Sequence, residues 1–279
     1  MTIATALHYA AFTSTPAGGN PAGVVLDSTG LGEDQMLAIA AALGYSETAF
    51  LQPRAGNAYD VRYFSPQAEV PFCGHATIAS AVALAERIGA CDLLFHTRAG
   101  LVPVATRIEH GRIEATLTSV VPSVEFAPAT LLSEVLAALG WSTDELDPAL
   151  PPRIGYAGAR HLILAARTRE RLAALDYDFE ALKHRMLAAD LTTVDLVWRE
   201  STDVFHARNP FPVGGLVEDP ATGAAAAAFG AYLRELQLVA PPATVTIHQG
   251  DDMGRPSLLT VGIGEHGGIR VSGQAVAMT

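Results

Sequence analysis

The 279-residue chain carries 29 acidic against 18 basic residues, a formal net charge of -11, and is 49% hydrophobic with only 17% charged residues. That length favours about two domains around a substantial core, and the sparse, unclustered charge excludes extended disorder and any phosphate-tracking basic face, so nucleic acid is not an expected partner. The longest uncharged apolar runs, near 76–85 and 220–233, are too short to span a bilayer, and two cysteines without a basic N-terminal region point to a cytoplasmic protein with no membrane partner.

In chain order, Ile3–Phe12 reads as a strand, Gly18-Gly19-Asn20-Pro21-Ala22-Gly23 as a turn-rich loop, and Val24-Val25-Leu26 as a second strand. Glu33–Leu43 is an amphipathic helix stopped by Gly44, since glycine accepts the left-handed conformation that ends a helix. Ser46 to Leu51 opens another strand with a carboxylate, Glu47, near its start, and Tyr59–Phe64 alternates as a further one. Pro71-Phe72-Cys73-Gly74-His75 then leads into a helix over Ala76–Arg87, closed by Gly89. From Ala76 to Ala85 that helix has no charge on any face, which marks it as surrounded by protein, with a curled sheet as its wrapping.

Residues 92–118 read as two or three strands, and Val121-Pro122-Ser123 as a boundary between domains 1–120 and 121–279. The second domain holds helices near 131–139, 168–174 and 178–188, with strands at His161–Ala166, 194–199 and 203–207. Glu218-Asp219-Pro220-Ala221-Thr222-Gly223 then introduces a second uncharged helix, Ala224–Leu236. The tail from Val245 to Val276 supplies the remaining strands, with the last of them open to a return into the first domain. The helix-opening glycines Gly74 and Gly223 lie 149 residues apart, each after a proline-marked turn, and the pattern points to duplication. The expected class is α/β with mixed sheets: two pseudo-symmetric domains, each a curved sheet wrapped around a central helix.

The chemistry concentrates at the two helix starts. Free N–H groups and the positive end of the helix dipole favour a carboxylate ligand or developing negative charge, and a glycine there lets a ligand approach the backbone. Gly74 and Gly223 read equally as caps of packed helices. Beside them stand Glu47, Cys73, His75 and Asp219, able to exchange protons, with Glu47 at an expected domain interface the best general acid/base. Taken singly, His75 also fits a structural histidine and Asp219 a helix cap.

Other patterns lack their context. Gly262-Ile263-Gly264-Glu265-His266-Gly267 has the spacing of a dinucleotide loop but sits between strands with no helix after it, and reads as a hairpin turn. No serine lies in a nucleophile elbow, and Gly18–Gly23 lacks the Lys of a phosphate loop. Asp251-Asp252 reads as a solvated turn. The nine histidines are scattered and neither thiol stands at zinc-ligand spacing, so no metal and no cofactor are expected.

Five ordered blocks, Gly19 to Val24, Ser46 to Phe50, Pro71 to Thr77, Glu218 to Gly223, and Gln249-Gly250 with Met253 to Ser257, together resemble the PhzF-like isomerase family of phenazine biosynthesis. The resemblance implies a fold like diaminopimelate epimerase, a homodimer, and catalysis by Glu47 with His75 and Asp219 assisting. It further implies that Asn20, Cys73, Gly74, Gly223, Ala224, Arg255 and Ser257 line the site of a small carboxylate substrate. Ala224 stands where the family often has serine, and Cys73 where some phenazine-pathway members have an acidic residue, which argues against the phenazine intermediate as this protein's own substrate. Two other readings stay open. A racemase would use Cys73 with a thiol from the other half, but Pro220-Ala221 stands at the expected position; a non-catalytic homologue would only bind carboxylates.

Overall fold

The structure, a computed structural model, describes residues 6–278, so Ile3 to Thr5 of the expected first strand lie outside the described residues. In chain order it contains β1 (Leu7–Ala11), β2 (Asn20–Val25), α1 (Glu33–Leu43), β3 (Glu47–Pro53), β4 (Ala58–Phe64), β5 (Glu69–Val70), α2 (Gly74–Ile88), β6 (Asp92–Thr97), β7 (Gly100–Glu109) and β8 (Arg112–Thr118). There follow β9 (Ser123–Phe126), α3 (Ala129–Leu139), β10 (Arg153–Tyr156), β11 (Arg160–Ala165), α4 (Arg169–Ala173), α5 (Phe179–Ala188), β12 (Thr193–Arg199) and β13 (Val204–Phe211). Last come β14 (Leu216–Asp219), α6 (Gly223–Glu235), β15 (Ala243–Gln249), β16 (Ser257–Ile263) and β17 (Arg270–Ala277). Two compact units form: one takes the described residues up to Thr118 together with those from Arg270 on, and the other takes Ser119–Ile269. No helix among the described residues is long and apolar enough to cross a membrane.

In the first unit β1 pairs antiparallel with β2, β2 parallel with β3, β3 antiparallel with β4, β4 parallel with β6, and β6 antiparallel with β7. Strand β8 pairs with β7, and β17 pairs antiparallel with both β8 and β1, so eight strands close into a ring. Helix α2 packs against β1, β2, β3, β7, β8 and β17 and therefore runs inside that ring. Every residue from Gly74 to Ala85 is buried, which is why this stretch tolerates no charge, and charge begins at Glu86 where the helix emerges. Strand β3 is buried on both faces: Phe50 packs with Met36 and Ala40 of α1, so the alternate residues Glu47, Ala49 and Leu51 face α2.

The second unit repeats the plan. β10–β11 is antiparallel, β11–β12 parallel, β12–β13 antiparallel, β13–β15 parallel and β15–β16 antiparallel, the same succession of senses as β1–β2 through β6–β7. Helix α6 packs against β9, β10, β11 and β16, while α3 and α5 cover the opposite face through Leu136, Leu182, Leu164 and Leu196. Each unit is thus a curved mixed sheet about a central apolar helix, the architecture the sequence implied.

A paired feature ties the repeat together. Arg62 on β4 grips Glu69 of the two-residue β5 with both prongs, Nε to Oε1 at 2.8 Å and Nη2 to Oε2 at 2.6 Å. Arg208 on β13 grips Glu218 of β14 in the same way, Nε to Oε1 at 2.9 Å and Nη2 to Oε2 at 2.5 Å. The two carboxylates are 4% and 5% exposed. Each glutamate stands five residues before its helix-opening glycine and two before a proline, so the segments align as Glu-x-Pro-x-x-Gly. Planar bidentate pairs fix direction as well as distance, and each one aims the backbone that runs into a central helix.

Some local expectations change. The segment expected as a loop is already strand from Asn20, because Pro21 lies opposite Ala10 in the ladder and Gly23 allows close packing against Thr48 and Leu43. Asp252 is held by Arg169 at 3.0 Å rather than being simply solvated.

Candidate active site

Asn20 opens β2, Glu47 opens β3, and Cys73 is the N-cap residue of α2, with Gly74 and His75 in its first turn. The parallel β2–β3 register sets Ala22 beside Glu47, and the inward period of β3 turns the carboxylate toward the α2 start. Glu47 Oε2 lies 3.4 Å from His75 Nε2 and 3.6 Å from Cys73 Sγ. Sγ lies 3.4 Å from His75 Nδ1 and 3.6 Å from Nε2. Asn20 Nδ2 approaches His75 Nδ1 at 3.1 Å, and Ser46 Oγ lies 3.3 Å from Nε2. The Glu47 side chain is 12% exposed and that of His75 6%. Asn20, Glu47, Cys73, Gly74 and His75 therefore form one enclosed polar cluster at a helix N-terminus.

When Asn20 donates to Nδ1, the imidazole proton is on Nε2, the ring nitrogen that lies 3.4 Å from Glu47 Oε2 and 3.3 Å from Ser46 Oγ. The positive end of α2 favours negative charge in the same place. The arrangement can hold a carboxylate, pass a proton to or from it, and steady an anion beside it. Ser46 opened one of the family-like blocks, but no role was read for it. The histidines are not all scattered: Cys73 is the extended N-cap residue rather than part of the helix, and its side chain meets His75, two positions on, and Glu47, leaving one donor atom from each of the three within 4.8 Å of the others.

In the second unit Asp219 ends β14 and Thr222 is the N-cap residue of α6. The Asp219 carboxylate accepts from the Thr222 hydroxyl at 2.6 Å, and its backbone oxygen accepts from Gln249 Nε2 at 2.7 Å. Gln249 Oε1 accepts from the Thr222 N–H at 3.0 Å, so one amide side chain fastens both the loop and the helix start. Gly250, at φ 80°, admits this approach: a Cβ there would stand 2.3 Å from the Arg255 carbonyl oxygen and 2.8 Å from that of Pro220. Gly223 and Ala224 begin α6, Ser257 lies opposite Gln249 in the β15–β16 ladder, and its hydroxyl donates to the Arg255 carbonyl at 3.0 Å. Asp219, Gly223, Ala224, Arg255 and Ser257 thus belong to the α6 end of this unit.

The Glu-x-Pro-x-x-Gly alignment corrects the position of the second thiol. Thr222, not Pro220-Ala221, matches Cys73 as N-cap, so the second half offers a hydroxyl there. The carboxylate is equally one-sided. Arg62 lies opposite Phe50 and Arg208 opposite Leu196; three residues back along each strand stands Glu47 in one unit and Thr193 in the other. Thr193 belongs to a buried chain in which His161 Nδ1 meets its hydroxyl at 2.8 Å, it donates to Asn209 Oδ1 at 2.7 Å, and Asn209 donates to Asp195 at 3.0 Å.

Comparison with known proteins adds an independent finding. A family model described as phenazine biosynthesis-like protein matches residues 9–279. The isomerase YfhB of Bacillus subtilis, itself uncharacterized, is 33% identical over 99% of this chain and 97% of its own length. The trans-2,3-dihydro-3-hydroxyanthranilate isomerase of Pseudomonas fluorescens is 32% identical over 89% of this chain and 86% of its own. The crystal structure of a PhzF-family phenazine biosynthesis protein from Bacillus anthracis superposes with a TM-score of 0.86 at 26% identity, covering 98% of this chain and 96% of that one.

Proposed function

Because the chain belongs to the phenazine biosynthesis-like (PhzF) family of isomerases, we propose that it moves a proton between two carbons of a small carboxylated substrate, with Glu47 as the single general acid/base and no cofactor. The observation that carries this reading is the enclosed Glu47 carboxylate, within 3.4 Å of His75 and 3.6 Å of Cys73 at the start of a buried helix.

Ionised Glu47 takes the proton from an activated C–H, and the electron pair left behind delocalises into the substrate. The dipole of α2 and the Nε2–H of His75 steady that anion. The same carboxyl then returns the proton to a second carbon, so that enzyme and proton count are restored. Asp219 is assigned an assisting polar role, and Asn20, Cys73, Gly74, Gly223, Ala224, Arg255 and Ser257 the binding of substrate. A positioned acid/base contributes on the order of 10²- to 10⁴-fold, so electrostatic stabilisation of the anion must supply the remainder.

The substrate is a small carboxylated ring or conjugated amino acid, a class that includes the compound for which the Pseudomonas fluorescens relative is named. A homodimer in the cytoplasm completes the reading, and light scattering on the purified protein tests the dimer. The racemase alternative is disfavoured by Thr222 at the position of a partner thiol. Incubating the enzyme in deuterium oxide with a panel of such carboxylates separates the two: label enters a substrate C–H in the wild type and in C73S but not in E47Q. Exchange that survives E47Q and disappears in C73S would transfer the base role to the thiol.

A further inference from the structure

We propose that Glu47, Cys73 and His75 form a reversible binding site for a thiophilic divalent cation of the zinc class, and that the bound ion silences the enzyme. The binding half stands on the donor set alone; the inhibitory half rests on the acid/base reading of Glu47.

The three side chains offer a sulfur, an imidazole nitrogen and a carboxylate oxygen, the ligand types that zinc takes in proteins. His75 Nε2 to Glu47 Oε2 is 3.4 Å, and Cys73 Sγ is 3.6 Å from each of them, a nearly equilateral triangle. Around a tetrahedral zinc with bonds of about 2.0–2.3 Å, neighbouring ligand atoms stand roughly 3.3–3.6 Å apart. The triangle therefore has the size of one face of a zinc tetrahedron. Sγ is almost equidistant from both ring nitrogens, at 3.4 and 3.6 Å, so a turn of the imidazole about χ2 is needed to aim Nε2 at the centre.

Two further observations favour a ligand at this place over a chance meeting of polar groups. All three side chains are largely enclosed and sit on rigid elements, the start of β3 and the first turn of α2. The other ring nitrogen, Nδ1, is met by the Asn20 side chain at 3.1 Å, and Asn20 is 1% exposed. A half-turn of that amide presents its oxygen to Nδ1–H and leaves Nε2 as the ligand, the outer support that metal-binding histidines have. A metal-bound Glu47 cannot accept a substrate proton.

Cobalt(II) serves as the probe. Titrating the full-length protein should give a near-ultraviolet thiolate-to-cobalt band that saturates at one ion per chain, is lost in C73S, persists in C91S, and is displaced by zinc. N20A should weaken cobalt binding about 10- to 100-fold. In the unmodified protein, zinc should slow alkylation of Cys73 by iodoacetamide, with Cys91 as the internal reference, a readout that needs no variant to fold. A band that survives in C73S, or alkylation of Cys73 indifferent to zinc, overturns the site. Zinc should stop deuterium exchange and a chelator restore it. Exchange unaffected at zinc concentrations that displace cobalt and protect Cys73 from alkylation leaves the site standing and overturns both the inhibition and the role of Glu47 on which it rests.

Discussion

Replacing Arg208 by Met should be among the most costly single changes in the second unit. The side chain is 10% exposed and that of Glu218 5%, so removing the guanidinium leaves a carboxylate enclosed without its bidentate partner. Breaking a buried pair in this way costs about 3–5 kcal/mol, a large part of the stability a domain has. The counterpart Arg62→Met should cost less, because Glu69 keeps a second cation, Arg98, at 2.9 Å from Oε2. The double variant R208M/E218L should regain most of the loss, since apolar groups of similar volume replace buried pairs at little cost. Urea denaturation followed by fluorescence reads all three as midpoint shifts at unchanged slope. An R208M loss below about 1 kcal/mol, or a double variant as unstable as R208M, would refute the view that this fork holds β14 against β13.

Further outcomes follow from the buried polar chain and the central helices. Burial pushes the Asp195 carboxyl up to about 7 and the His161 imidazole down to about 3. Asp195 contributes stability that is present below about pH 4 and lost as pH rises toward 7; His161 contributes stability that is present above about pH 6.5 and lost as pH falls toward 3. Between about pH 4 and 6.5 their slopes, each about 1.4 kcal/mol per pH unit, oppose; D195N leaves the histidine slope alone, and its unfolding free energy should climb by about 3 kcal/mol across that interval. Wild-type and D195N profiles of the same shape would contradict this. Gly230 lies inside α6 where a Cβ would stand 2.7 Å from Val261 Cγ1 and 2.8 Å from Ile269 Cγ2. G230A should therefore destabilise by about 1–3 kcal/mol despite the better helix propensity of alanine, and a rise in melting temperature would show that the packing gives way.

The fold was legible where periodicity and punctuation agree. Glu33–Leu43 with Gly44 announced α1, and the charge-free runs after Gly74 and Gly223 announced helices enclosed by sheet, since only a fully surrounded helix can dispense with a polar face. The second strand was read at Val24-Val25, but its first part, from Asn20, was hidden because Pro21 and Gly23 look like turn residues, and only the neighbouring strands show why a small residue is needed there. At the site, Glu47, Cys73 and His75 were each visible as residues of chemical interest and Asn20 only through the family resemblance, but their contact depends on a register between β2 and β3 that no local pattern encodes. The Arg–Glu forks were missed although their signal, Glu-x-Pro-x-x-Gly twice at a spacing of 149, is printed in the chain. What could not be read was the arginine partner, which arrives from another strand at a different spacing in each half.

Chemical rescue at position 47 addresses the catalytic claim most directly. Truncating Glu47 to Ala removes the carboxylate and leaves space beside His75 and Cys73. Substrate C–H exchange in deuterium oxide should vanish in E47A and return in proportion to added formate or acetate, while the wild type ignores both. Undiminished exchange in E47A without any added carboxylate would show that the proton travels through another group.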